Sequence, residues 1–428
     1  MEWYHKDSFG HQYYNPTEVI LGKQMREWLP FSISWWHNLG SQSMKGNFAH
    51  SSGILYEIEK AELAFQFMEK LNIDFFCFQG AGCCGAARNL VQAENEQKQL
   101  NSVIREKMEI YHKKLLWGAS NYISLPQTEL GAATSPSLDV FWQSLALEKV
   151  NVDTVLALNG IGIMFWGGKE GYQCVADTDF NLELDNRAEH IKKTIAYAKE
   201  KGFKGKFYLE PKPKRPGRYQ YHFDVATATL FLKQYHLEEM VSLCLDPYHA
   251  SLAGHNFDYE VRMAKTYGMI GTIDISPDRF LDSDKSFRER VKEWTLIMCD
   301  LISMGGIKNG GINFDPKDYG TIYTQDSILK SLHCAQEILA WAFRAAAWLE
   351  ENKLLEDMLH ARYEQIRQKN SNYNMEQIWD QMKNKFVTLD AQYYTEDKVN
   401  KLQIAKSIGP SCGAERPRCG ASGQPFPT

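Results

Sequence analysis

An α/β fold, a (β/α)8 TIM barrel with an extended C-terminal helical arm, is the architecture this sequence predicts, and three observations predict it. Eight short apolar runs recur up to residue 315, longer segments of helical character separate them, and the runs are apolar without strict alternation. Parallel barrel strands are buried on both faces, by a packed interior and by an outer ring of helices, and read in this way.

In chain order, the predicted strands begin with PFSISWW (30–36), IDFFCFQ (73–79), KLLWGAS (114–120) and IGIMFWG (161–167). KFYLE (206–210), VSLCLD (241–246), GTIDI (271–275) and GGINFD (310–315) complete the eight. Each is short enough for a strand and too short for a typical helix. Segments such as 61–71, 186–201, 226–235 and 288–304 have helical character and supply the crossovers that parallel strands require. Beyond about residue 350 the pattern becomes charged helix without strands, and 407–428 is rich in Gly, Pro and Ser. The expected organisation is a barrel domain over 1–350, a helical arm over 351–406 and a disordered tail over 407–428.

Composition excludes several classes. At 428 residues and 44% hydrophobic, the chain can bury a large core. A net charge of −5 gives no electrostatic footprint for nucleic acid, and no Lys/Arg cluster marks an anionic membrane. The longest apolar stretch, around Ile338 to Leu349, is interrupted by Arg344 and is too short to span a bilayer. MEWYHKDSFG lacks the apolar stretch of a signal peptide. Nine cysteines, an odd number without paired zinc spacing, several of them (Cys77, Cys174, Cys244, Cys299) in or beside apolar runs, fit reduced packing cysteines in a cytosol.

Four acids stand where apolar runs stop: Glu210 in FYLEPKP, Asp246 in SLCLDPYH, Asp274 in IGTIDIS and Asp315 in GINFDPK. One such acid can simply face water. Four at the ends of strands five to eight converge at the C-terminal mouth of a barrel, where active sites form. Carboxylates gathered there call for a cation to offset their desolvation. His249, three residues after Asp246, and the D-x-D of Asp282 and Asp284 extend the set. Oxygen-rich ligands with one imidazole suit Mg²⁺, Mn²⁺ or Co²⁺ better than zinc.

The motifs YYNP (13–16), LLWGASN (115–121), GAATSP (131–136), FWGGKEGY (165–172), LEPKP (209–213), HASLAGHNF (249–257) and GGINFD (310–315) resemble those of the xylose isomerases, in the same order. The resemblance runs from residue 13 to about 350. It implies a barrel, a homotetramer held partly by a C-terminal arm, two divalent cations per subunit with Mg²⁺ foremost, and interconversion of D-xylose and D-xylulose. By position, Glu210, Asp246, Asp274 and Asp315 would hold the first cation, and Asp246, His249, Asp282 and Asp284 the second. Lys212 matches the lysine that donates to the substrate's carbonyl oxygen; Trp166, with Trp36 as companion, would wall the path of the migrating hydrogen.

The sequence also departs from that family. Its second strand ends in a His and, three residues on, an Asp that help open the sugar ring; here those positions are Gln79 and Gly82. Asp246 replaces a Glu, shortening the bridging carboxylate by a methylene, and Tyr248 replaces an Asn. The loop from Asp274 to the D-x-D is shortened. Two readings follow: an isomerase slowed on cyclic sugar, or a relative that keeps metal and sugar binding without turnover. A third is weaker. Gly80, Gly82 and Gly85 spell G-x-G-x-x-G after a strand, the dinucleotide fingerprint, but KLLWGAS ends without the acid a ribose needs.

Overall fold

The computed structural model describes residues 10–34, 48–50, 53–79, 89–122, 125–214, 219–276, 287–315, 324–369 and 371–385. Eight strands form a closed, all-parallel barrel: β1 Phe31–Ser34, β2 Phe75–Gln79, β3 Lys114–Ala119, β4 Gly162–Trp166, β5 Lys206–Glu210, β6 Val241–Leu245, β7 Ile270–Ile275 and β8 Ile312–Phe314. Neighbours pair in chain order, and β8 closes on β1 with Ile312 opposite Phe31. All eight predicted runs are strands of this barrel.

Around it lie α1 Gly53–Lys70, α2 Leu90–Tyr111, α3 Leu138–Ala157, α4 Phe180–Glu200, α5 Val225–Gln234, α6 Pro247–Ala253, α7 Phe257–Thr266, α8 Phe287–Ser303 and α9 Gln325–Glu351. Side-chain caps fix several starts. Asn89, Asp179 and Asp224 each accept a backbone N–H from the first turn of α2, α4 and α5 respectively. Two exposed helices follow, α10 Leu354–Arg367 and α11 Met375–Met382, neither with a buried residue. No described helix is long and apolar enough to cross a membrane.

Strand periodicity sorts the side chains. One face, including Phe31, Ile33, Phe76, Phe78, Ile163, Phe165, Phe207, Leu209, Ile273, Ile312 and Phe314, packs into the main core with the helices. The alternate residues Cys77, Met164, Tyr208 and Cys244, with Leu116, Trp117 and Ala119, form a separate buried cluster. The expectation of strands apolar on both faces is corrected here: at the alternate positions of β7, β8 and β1 stand buried Thr272, Asn313, Ser32 and Ser34. Expected packing of the cysteines holds for buried Cys77, Cys244 and Cys299, whereas Cys174 is exposed.

Candidate active site at the strand ends

The acids predicted to converge do so. Glu210 is the last residue of β5, Asp274 lies one residue inside the end of β7, and Asp246 and Asp315 directly follow β6 and β8. All four are no more than 4% exposed. Ligand-type atoms of Glu210, Asp246 and His249 lie within 4.8 Å of one another. Asp274 joins them electrostatically. Burial pushes its carboxyl well above the usual carboxylate range, and the charges of Asp315, Glu210 and Asp246 push it further.

A hydrogen-bonded layer aligns Asp274. Asn313 Nδ2 donates to its Oδ1 at 2.7 Å, Ser32 donates to Asn313 Oδ1 at 2.8 Å, and Cys77 Sγ lies 3.0 Å from the Ser32 hydroxyl. Burial keeps the Cys77 thiol protonated, its pKa well above the ordinary value, so the thiol is the donor to Ser32. Every donor in the chain therefore points toward Asp274, partly opposing the upward push on its carboxyl. On the next strand pair, Ser34 donates to Asp315 Oδ1 at 2.8 Å. This layer was missed in the sequence, although alternating FSIS and INFD place a polar residue at every second position.

Asp246 caps a helix. Its Oδ1 accepts the backbone N–H of Tyr248 at 2.6 Å and of His249 at 3.3 Å, while Oδ2 accepts the Ser276 hydroxyl at 2.6 Å. Pro247, at the first position of α6, has no N–H to satisfy and is preset for helix. An aspartate reaches these amides from the N-cap, as short acids do. The Asp246 carboxylate thus has a local structural use.

His249 is oriented by its surroundings. Its Nδ1 is 2.9 Å from the Pro211 carbonyl and 3.1 Å from Glu210 Oε1, both acceptors, so Nδ1 carries the hydrogen. Nε2 faces Asp246 Oδ2 at 3.3 Å. An imidazole nitrogen and a carboxylate oxygen, each with a lone pair, face each other favourably across a shared proton or beside a metal cation. The donor set fits a divalent cation: buried carboxylates whose mutual repulsion a positive ion would relieve, and an imidazole whose tautomer leaves Nε2 to bind it.

Lys212 lies between Pro211 and Pro213, which holds its backbone extended. Its N–H donates to the His222 carbonyl at 3.0 Å, and Nζ sits 5.2 Å from the centroid of the Tyr248 ring. Tyr248 therefore places an aromatic face against the lysine. Trp166 ends β4 beside Glu210 in register. Its indole covers Gly168, where a Cβ would come within 2.2 Å of the ring, so that turn requires glycine. Gln79 ends β2 opposite Ala119. Asp282, Asp284, Gly82, Gly80, Gly85 and Trp36 lie outside the described residues.

Fold and site together define a (β/α)8-barrel protein of enzyme type, with its ionisable side chains gathered at the carboxyl ends of the second four strands. Comparison narrows this. The chain is 35% identical over 363 residues to the xylose isomerase of Bacillus subtilis, covering 82% of this chain and 81% of that one. It is 36% identical over 363 residues to the xylose isomerase of Bacillus velezensis, with the same coverage. The chain belongs to the xylose isomerase family. No family model matches it. Among solved structures, a D-tagatose 3-epimerase-like protein is similar at a TM-score of 0.50 and 14% identity, covering 73% of this chain and 97% of that one, a likeness of fold.

Proposed function

We propose that this protein is a metal-dependent aldose–ketose isomerase that interconverts D-xylose and D-xylulose by a 1,2-hydride shift. The observation that carries the reading is the buried convergence of Glu210, Asp246, His249, Asp274 and Asp315 at one barrel mouth in a chain of this family. Two divalent cations, Mg²⁺ foremost and Mn²⁺ or Co²⁺ as substitutes, would be held by these residues together with Asp282 and Asp284. When bound, they supply Lewis-acid stabilisation of the charge on the two sugar oxygens between which hydrogen moves.

The chain's own groups do the rest. Lys212 donates from Nζ to the carbonyl oxygen, and the Tyr248 ring restricts where that ammonium can go. Trp166 presents an apolar wall beside Glu210 and excludes water from the migrating hydrogen. Gln79 can hydrogen-bond a ring oxygen, but an amide cannot take up or deliver the proton that ring opening requires. In the same reading the protein is cytoplasmic and a homotetramer; exposed Leu359, Tyr363, Ile366 and Trp379 on the helices after the barrel support association between copies of the chain.

A second reading keeps the fold, the cations and sugar binding but not turnover. Gln79 and Gly82 favour it, because both family proton-transfer positions are changed, and so does the commitment of Asp246 to the α6 cap. A coupled assay for xylulose formation with Mg²⁺, Mn²⁺ or Co²⁺ separates the two. Metal-dependent turnover is expected. Bound metal and bound xylose without turnover would establish the second reading instead.

A further inference from the structure

Away from the strand ends, residues 11–14 run along α9, and the centre of that contact is polar. His333 and Glu337 are four residues apart on α9 and so share one helix face. His11 reaches them from the N-terminal segment, with Nδ1 3.2 Å from Glu337 Oε1. The rings of His11 and His333 lie 4.7 Å apart, centroid to centroid, at 33°. One ligand-type atom from each of the three residues lies within 4.8 Å of the other two.

Anchoring the segment does not require the histidines. Glu337, 2% exposed, already accepts the backbone N–H groups of Gln12, Tyr13 and Tyr14 at 2.9, 2.8 and 3.1 Å. Tyr13 also stacks on Trp341, and Arg344 binds the Tyr13 carbonyl and Glu18. Yet two imidazoles are packed against the same carboxylate, and His11 Nε2 is buried without a hydrogen-bond partner among the described residues.

We propose that His11, His333 and Glu337 form a transition-metal site that clips the N-terminal segment to α9. Two nitrogens and one oxygen are a donor set of zinc, and the three residues already bring one ligand-type atom each to within 4.8 Å of the other two. The fourth position is left to water. Imidazole donors select Zn²⁺ or Co²⁺ over Mg²⁺, so the oxygen-rich strand-end site and this one differ in the ion they prefer.

The test uses the full chain, stripped with EDTA and dialysed, with Zn²⁺ counted by equilibrium dialysis in the parent, His11→Gln and His333→Gln. Each variant should bind one equivalent fewer than the parent, while the strand-end contribution is common to all three. Zn²⁺ should also slow amide exchange at residues 12–14 in the parent and not in the variants. Equal stoichiometry in all three proteins would overturn the site. Melting in EDTA checks that the variants fold; if His333→Gln does not, His11→Phe, which changes only the N-terminal segment, gives the same count.

Discussion

The two halves of the barrel end differently. Strands β5 to β8 each deliver a buried carboxylate to the mouth: Glu210, Asp246, Asp274 and Asp315. Strands β1 to β4 end in Ser34, Gln79, Ala119 and Trp166, with no acid among them. One wall is acidic, and the strand ends of the other are neutral or apolar; in the proposed reading the first holds the cations and the second faces the sugar. In the proposed reading the proton transfers of ring opening fall to the first half, whose β2 ends in Gln79, and cation binding falls to the second. Cation binding and ring opening should therefore be separable.

The largest effect that would break this comparison is at Lys212, the residue that the proposed mechanism sets against substrate. Lys212→Met removes the donor to the carbonyl oxygen, and xylulose formation should fall by about 100-fold or more, with Mn²⁺ binding by calorimetry unchanged. Retained turnover would mean that another group polarises the carbonyl.

Next is the linkage of cation and stability. A ligand that binds only the folded state stabilises it, so Mn²⁺ added after EDTA should raise the melting temperature by about 2 °C or more. Asp274→Asn should remove most of that response, because it deletes the carboxyl on which the other three charges act. An unchanged melting curve in the parent would show that the charged wall binds no cation.

Two buried histidines, His190 on α4 and His222 against Phe231 of α5, give a pH test. Burial, then the Arg187 charge, holds His190 and His222 well below their usual value of 6.5, so both are neutral in the folded protein. The unfolded chain binds more protons below that value. Their contribution is present above about pH 6.5 and is lost as pH falls, at about 1.4 kcal/mol per pH unit for each histidine. Urea midpoints between pH 7 and 5 should decline, and His190→Phe should flatten the slope; an unaltered slope would assign the acid sensitivity elsewhere.

Much of this contrast was legible in the sequence, for a physical reason. A carboxylate after an apolar run is conspicuous, and barrel topology brings strand ends together wherever they fall in the chain, so Glu210, Asp246, Asp274 and Asp315 could be read directly. All eight strands were legible because short apolar runs separated by helix-length segments have few other solutions. Less visible was what depends on direction. Ser32, Asn313 and Cys77 point inward by strand parity, and their value lies in a relay across three strands that no local spacing reveals. Asp246 read as a shortened metal ligand, while its role as the α6 cap depends on the geometry of Pro247 and the amides beyond it. His11 and His333 stood more than 300 residues apart, inside segments that looked purely structural.

In the proposed reading, Gln79→His combined with Gly82→Asp should raise xylulose formation from cyclic xylose by about tenfold, the lower part of the general acid–base range. Cation affinity should not change, because Gln79 ends β2 and none of the four converging carboxylates is altered. A parent enzyme already as fast as the double variant would mean that a different group opens the ring.

The smallest expected effect concerns Asp246, and it has two opposed parts. In Asp246→Glu the carboxylate moves outward by one methylene, about 1.5 Å. It then leaves the Tyr248 and His249 amides, which Asp246 now satisfies at 2.6 and 3.3 Å, and the Ser276 hydroxyl. Losing a good N-cap costs about 1 kcal/mol, so the metal-free variant should melt slightly lower than the parent. With Mn²⁺ present the order should narrow or reverse, since a longer bridge lets one carboxylate reach two cations without shifting the backbone. A variant less stable than the parent by the same amount with and without Mn²⁺ would assign Asp246 to the helix cap alone. A variant that gains in Mn²⁺ affinity while losing stability in EDTA would identify the missing methylene as a trade of cation bridging for a better-anchored α6.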